Sequence, residues 1–267
     1  MSFTTASLVT RTGTGAYTAT LQPGWDIFGV TNGGYLLATT ARAMGEEANG
    51  RVLASITGRY LNPTGAGPVT IDVEELKEGR STSTLQAKML EGGRGRPLLT
   101  ANATFVDRTT EPPEVAISHG APPELPNPAD CVRLVPSEEA PLPPPFTAKV
   151  EIYLHPDDTT YGQARPEQVP MMRGWLRLTD GDLLDPYSLV LASDAFPPAI
   201  FNSELPPTWT PTIDLTVQIR EPGPHEWVKC RFSTRFVTGG WLEEDGEIWD
   251  ESGSLVALSR QLALVGR

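Results

Sequence analysis

Apolar and polar residues alternate with a period of two through most of this chain, and two stretches break the rule. In the first half the alternating runs are Ser55–Leu61, Val69–Leu76, Thr82–Leu90 and Leu98–Val106, separated by turn chemistry at Asn62-Pro63-Thr64-Gly65, Lys77-Glu78-Gly79-Arg80 and Gly92-Gly93. A hairpin is predicted within residues 7–21, around Gly13-Thr14-Gly15. In the second half the runs are Thr147–Leu154, Met171–Leu178, Thr212–Arg220, Trp227–Phe236, Trp241–Asp250 and Leu255–Val265. The first exception runs from Gly34 to about Ala48, where Tyr35, Leu36, Leu37, Ala38, Ala41 and Met44 recur at helical spacing. The second runs from Pro186 to Phe196 and is apolar on nearly every side, as suits a helix inside a core. Pro186 fits the first turn of that helix, where its missing N–H costs nothing, and Asp185 fits its cap. One helix among strands joined by short turns, twice over, belongs to the α+β class.

The two halves repeat one order of elements. Pro63 corresponds to Pro222, Thr82–Leu90 to Trp241–Trp249, and residues 100–106 to residues 259–265. This predicts an internal duplication, each copy a helix plus a sheet. Between the copies, residues 109–145 carry Pro112-Pro113, Pro122-Pro123 and Pro143-Pro144-Pro145 among other prolines, a density that reads as an extended linker laid over the surface. The expected organisation is a first domain at 1–108, the linker at 109–145 and a second domain at 146–267.

Composition narrows the function classes. A net charge of −12 over 267 residues argues against a nucleic-acid or anionic-membrane partner, though not against a small anionic ligand. No apolar run is long enough to span a bilayer, and Met1-Ser2-Phe3-Thr4-Thr5 lacks the start of a signal peptide, so a cytoplasmic protein is expected. Cys131 and Cys230 have no metal or redox spacing. The histidines His119, His155 and His225 are scattered, which offers neither a metal cluster nor a catalytic pair. No G-x-S-x-G elbow is present.

The candidate chemistry lies in the second half. Asp194 stands among Leu, Ala, Val and Phe near the end of the second helix, where an ionised group is expensive unless donors meet it. A carboxylate turned to solvent as the chain enters Pro197-Pro198 is the competing reading. The first helix has no carboxylate at the corresponding place. Thr212 opens a strand, and Gln261 sits between apolar neighbours near the end of the last one, as a solvent-face residue or as a buried amide needing partners. In the first half, Gly33-Gly34 at a helix start would let a ligand approach bare backbone N–H groups, although a glycine pair there is also plain turn chemistry.

Taken together, Leu189-Val190-Leu191-Ala192-Ser193-Asp194, Pro211-Thr212-Ile213-Asp214, Glu226-Trp227 and Asp250–Ala257 with Gln261 resemble the acyl-CoA thioesterase II family. Asn32-Gly33-Gly34, Tyr60-Leu61-Asn62-Pro63 and Leu76–Ser81 resemble its first domain. The chain departs from the family pattern in its long proline-rich segment, at Asp214-Leu215 and at Val237–Gly240. The resemblance implies two tandem hotdog domains in one chain, each a long helix wrapped by an antiparallel sheet. It implies hydrolysis of acyl-CoA without cofactor or metal, by a water bound at Asp194, Thr212 and Gln261.

In that chemistry Asp194 acts as general base, or attacks directly to give an anhydride, with the donors of Thr212 and Gln261 keeping it ionised. Gly33 and Gly34 would polarise the thioester carbonyl from across the domain junction. The rival is a non-catalytic acyl-CoA or acyl-carrier binding protein on the same fold. A homo-oligomer is expected by analogy, because hotdog sheets present edges that pair further.

Overall fold

A computed structural model of the chain describes residues 1–108, 117–137, 142–162 and 168–266. Parts of the proline-rich segment, 109–116 and 138–141, therefore lie outside the described residues. Apart from a single helical turn at Phe3–Ala6 and short 3-10 turns, the two longer helices are α1 (Gly33–Glu46) and α2 (Pro186–Ala192). Besides a separate two-stranded pair, Asp26–Ile27 with Val30–Thr31, the strands of the first half are β1 (Thr10–Gly13), β2 (Ala16–Leu21), β3 (Val52–Tyr60), β4 (Gly67–Glu78), β5 (Thr82–Glu91) and β6 (Pro97–Val106). Those of the second are β7 (Val132–Arg133), β8 (Val150–Leu154), β9 (Met171–Leu178), β10 (Thr212–Ile219), β11 (Val228–Ser233), β12 (Trp241–Asp250) and β13 (Leu255–Leu264).

These strands form one antiparallel sheet in the order β1-β2-β4-β5-β6-β3-β10-β13-β12-β11-β9-β8-β7, with the two-residue strand Val237–Thr238 beside β12. Read outward from the β3–β10 junction, the two sides carry the same sequence of elements. The strand after the helix comes first, then the last strand of the half, then the others in reverse. The predicted duplication is thus written into the strand order. At the junction Thr57 faces Thr216, and their hydroxyls are 2.9 Å apart. The halves are therefore joined through continuous backbone hydrogen bonding as well as through packing.

Alternation explains which side of each strand is buried. In β5, Leu85, Ala87 and Met89 point to the core while Gln86 and Lys88 alternate with them. In β3, Ile56 and Gly58 share the face toward α1, and the missing side chain of Gly58 admits Leu37. Helix α1 is buried from Gly34 to Ala41 with almost no polar face. Its two buried threonine hydroxyls are satisfied within the helix, Thr39 donating to Tyr35 O at 2.8 Å and Thr40 to Leu36 O at 3.0 Å.

Helix α2 begins as the sequence predicts, with Asp185 as cap, Pro186 in the first turn and a capping box closed by Ser188. It ends earlier than predicted, at Ala192 rather than near Phe196. Asp194 N–H bonds back to Leu191 O at 3.0 Å, a tightened last turn, and Pro197-Pro198 cannot donate and disfavour a helical residue before them. Asp194 consequently stands just beyond the helix, on the turn that leads away from it. The helices meet through glycine: a Cβ on Gly34 would lie 2.9 Å from Leu191 O, and one on Gly45 would collide with the Tyr187 hydroxyl. Arg42 stacks 4.7 Å from the Tyr187 ring centroid and donates to Asp185 at 2.9 Å.

The described part of the proline-rich segment does more than connect. Its β7 extends the second half-sheet by pairing with β8, and Trp175 Nε1 donates to Pro126 O at 2.8 Å. Both cysteines are free thiols, and Cys230 is buried. Among the described residues no helix is long and apolar enough to cross a membrane.

Candidate active site

The turn after α2 brings Asp194 to the N-terminus of α1, 160 residues away in sequence. A helix N-terminus leaves backbone N–H groups without acceptors and carries a partial positive charge, and a carboxylate answers both. Asn32 is the N-cap: its Oδ1 accepts from Tyr35 N–H at 2.9 Å. Its Nδ2 donates to Asp194 O at 2.9 Å and to Asp194 Oδ2 at 3.2 Å. Gly34 N–H donates to the same Oδ2 at 2.7 Å. Asp194 Oδ1 has no protein partner among the described residues. Asp194 therefore neither faces bulk solvent nor caps its own helix; it caps the helix of the other half.

This arrangement corrects two expectations about donors. The groups that hold Asp194 are Gly34 N–H and the Asn32 amide, not Thr212 and Gln261. Gly34 N–H is thereby engaged, and of the glycine pair only Gly33 N–H stays without an acceptor among the described residues. Burial pushes the Asp194 carboxyl up to about 6 despite the two donors that pull it down.

Thr212 and Gln261 form a second cluster on the wall of the same cavity. Thr212 Oγ1 donates to Gln261 Oε1 at 2.9 Å, and Gln261 Nε2 donates to Glu244 Oε1 at 2.6 Å. Gln261 is thus a buried amide, with one of its two N–H donors given to Glu244. Glu244, opposite Gln261 in the β12–β13 register, also accepts from Ala199 N–H at 2.5 Å. Burial lifts Glu244 to about 7, with the charge of Asp194 adding to the rise and the two donors opposing it. Sequence reasoning missed Glu244 because Glu243-Glu244-Asp245 reads as a solvated acidic run. The signal was available in the alternation, which puts Glu244 on the face of Leu242 and Ile248.

The cavity holds about 580 Å³ and carries Asn32, Gly33, Tyr60, Asp194, Thr212, Glu244 and Gln261 on its wall. The rest is largely apolar, including Leu36, Phe146, Phe196, Phe201 and Phe232, with Leu134 and Leu142 contributed by the proline-rich segment. No group of residues suited to a metal ion occurs among the described residues.

Two raised carboxyls make stability fall as pH rises. Between the unfolded values near 4 and the folded values near 6 and 7, the native state binds more protons than the unfolded chain. Stability is therefore fully present below about pH 4 for these groups and is lost through pH 7, by about 3 kcal/mol for a two-unit shift. Melting temperatures measured from pH 5 to pH 8 should decline for the wild type. The slope should flatten in a variant combining Asp194→Asn with Glu244→Gln; an equal slope in both proteins contradicts this account.

Residues 21–106 match the model for the acyl-CoA thioesterase N-terminal domain, and residues 128–265 match the model for the C-terminal domain. A candidate thioesterase II from Thermobifida fusca superposes with a TM-score of 0.84 at 32% identity, over 99% of this chain and 97% of that one. A hot dog fold protein of unknown function from Alicyclobacillus acidocaldarius gives 0.81 at 21% identity, over 99% and 98% of the two chains, and shows the fold. The thioesterase-like protein TwmA of Talaromyces wortmannii is 22% identical over 93% of this chain and 87% of its own. The helix-and-sheet duplication is therefore a double hotdog. Because the two domain models together account for nearly the whole chain outside the proline-rich segment, the chain belongs to the acyl-CoA thioesterase family.

Proposed function

We propose that the protein hydrolyses acyl-CoA thioesters with Asp194 as the general base. The observation that carries this reading is the carboxylate itself, fixed through Oδ2 by Gly34 and Asn32 with Oδ1 left open toward an apolar cavity. A base raised to about 6 is mostly ionised at neutral pH and accepts a proton more readily than an ordinary Asp.

In the proposed reaction a water oxygen attacks the thioester carbon as its proton passes to Asp194 Oδ1. The second N–H of Gln261 and the Thr212 hydroxyl are the groups assigned to orient that water. Negative charge developing on the carbonyl oxygen is met by Gly33 N–H, at the positive end of α1. Collapse breaks the C–S bond, the electron pair leaves with the CoA sulfur, and the proton on Asp194 is returned to that sulfur. The products are a carboxylic acid and free CoA. The apolar walls would take the acyl chain. Further assembly through the open edge at β1, whose four residues are all exposed, is also a proposal.

The test is free-thiol release across a series from acetyl-CoA to palmitoyl-CoA. Turnover should be measurable, with kcat/KM rising through about pH 6 as Asp194 ionises. Tight acyl-CoA binding without thiol release at any chain length would support the non-catalytic reading instead.

A further inference from the structure

Four buried side-chain polar atoms have no hydrogen-bond partner among the described residues: Trp25 Nε1, Tyr60 Oη, Asn202 Oδ1 and Thr234 Oγ1. Of these residues only Tyr60 lines the cavity. Tyr60 ends β3, on the face that Ile56 and Gly58 turn toward α1. Its ring rests against the bare backbone of Gly33: a Cβ placed there would lie 3.0 Å from Tyr60 Cζ and 3.0 Å from Asp194 Oδ2. The phenol, the start of α1 and the carboxylate therefore converge on one corner of the cavity.

A phenylalanine would fill this space without the cost of an unpaired hydroxyl, a cost buried polar groups ordinarily avoid. Burial and the neighbouring Asp194 charge hold the phenol well above its ordinary range, so it stays protonated and keeps a proton to donate. Asp194 Oδ2 already accepts two donors and is not bonded to it. The hydroxyl itself is sealed from water while the ring borders the cavity, so an acceptor that enters the cavity meets it only as the ring shifts on binding.

We propose that the Tyr60 hydroxyl donates to the thioester carbonyl oxygen of the substrate, making with Gly33 N–H a two-donor oxyanion site. This rests on the hydrolytic reading given above. The hydroxyl gives up no proton during the reaction: the hydrogen bond strengthens as the carbonyl oxygen gains charge and relaxes when the C–S bond breaks. Tyr60 is thus a catalytic residue contributed by the first half, facing a base contributed by the second.

The experiment compares wild type with Tyr60→Phe in two measurements. For the best acyl-CoA, kcat should fall about 10²-fold, as for the loss of one oxyanion donor, with KM rising no more than several-fold. Calorimetric binding should separate two inert CoA derivatives. A ketone analogue, with CH₂ replacing sulfur and the carbonyl kept, should bind Tyr60→Phe several-fold more weakly than wild type, whereas an S-alkyl-CoA thioether without a carbonyl should bind both proteins equally. The variant should melt no lower than wild type, because it loses only an unpaired group.

Unchanged kcat with unchanged ketone binding would overturn the proposal. So would equal weakening of ketone and thioether, which marks a packing role. A wild type that turns over no acyl-CoA but shows the ketone-selective loss would sink the hydrolytic reading and leave the carbonyl contact standing. Failure of both analogues to bind would remove both.

Discussion

Asp194→Asn should lower kcat for acyl-CoA hydrolysis by about 10³-fold, inside the range that general-base catalysis contributes, while leaving the protein folded and able to bind substrate. The substitution is nearly isosteric. The Asn carbonyl oxygen can still accept from Gly34 N–H and from the Asn32 amide, so the contact between the turn after α2 and the start of α1 is kept. What is lost is the proton acceptor. At pH 8 the variant also no longer holds an ionised carboxylate in a site that raises it to about 6, so its melting temperature should equal or exceed that of the wild type. Steady-state thiol release beside thermal melting checks both halves of the expectation. A variant retaining more than a tenth of wild-type kcat would remove Asp194 from the role of base.

Gly34→Val tests the same junction from the other side. A Cβ at this position would lie 2.9 Å from Leu191 O, 2.9 Å from Asp194 Cβ and 3.2 Å from Leu191 Cα. Two of these three neighbours are backbone, which cannot step aside by rotating, so α1 and α2 have to separate. Overpacking of this kind costs about 1–3 kcal/mol, with the valine branch toward the upper end. For a chain of this size the melting temperature should drop by roughly 5–10 °C. Activity should fall further than stability alone explains, because displacing a catalytic group by about 1 Å can cost 10²-fold in rate. Differential scanning calorimetry and kcat measured well below the melting transition separate the two effects. Retention of wild-type melting would mean that the helices accommodate the side chain.

How much of this could be read in advance follows from which interactions are local. The strands were legible because alternation is a local property, and the duplication because it repeats an order of local signals. Asp185, Pro186 and Ser188 announce the start of α2 within four residues. Asp194 was legible as a misfit, a carboxylate in an apolar run. Its partners were not, because Asn32 and Gly34 meet it across about 160 residues and nothing near them specifies the pairing. Asn32 could be placed at a helix start, but its amide's second task depends on where the other half lies. Glu244 was hidden by its acidic neighbours, although the period of its own strand placed it inward. The early end of α2 was underweighted in the sequence: Pro197-Pro198 disfavours helix in the residue before it, and the last residues tightened sooner.

The β3–β10 junction gives the two halves unequal fates. Where Gly33 opens α1 to the cavity, the equivalent start of α2 carries Pro186 and Tyr187 and is sealed by Arg42 on Asp185. Two separate identical subunits would have to encode both corners with one sequence, so every change that improved one would be copied into the other. Fusing them into a single reading frame breaks that obligation. One corner has been given over to mortar between the helices, and the other is free to be altered residue by residue around the cavity.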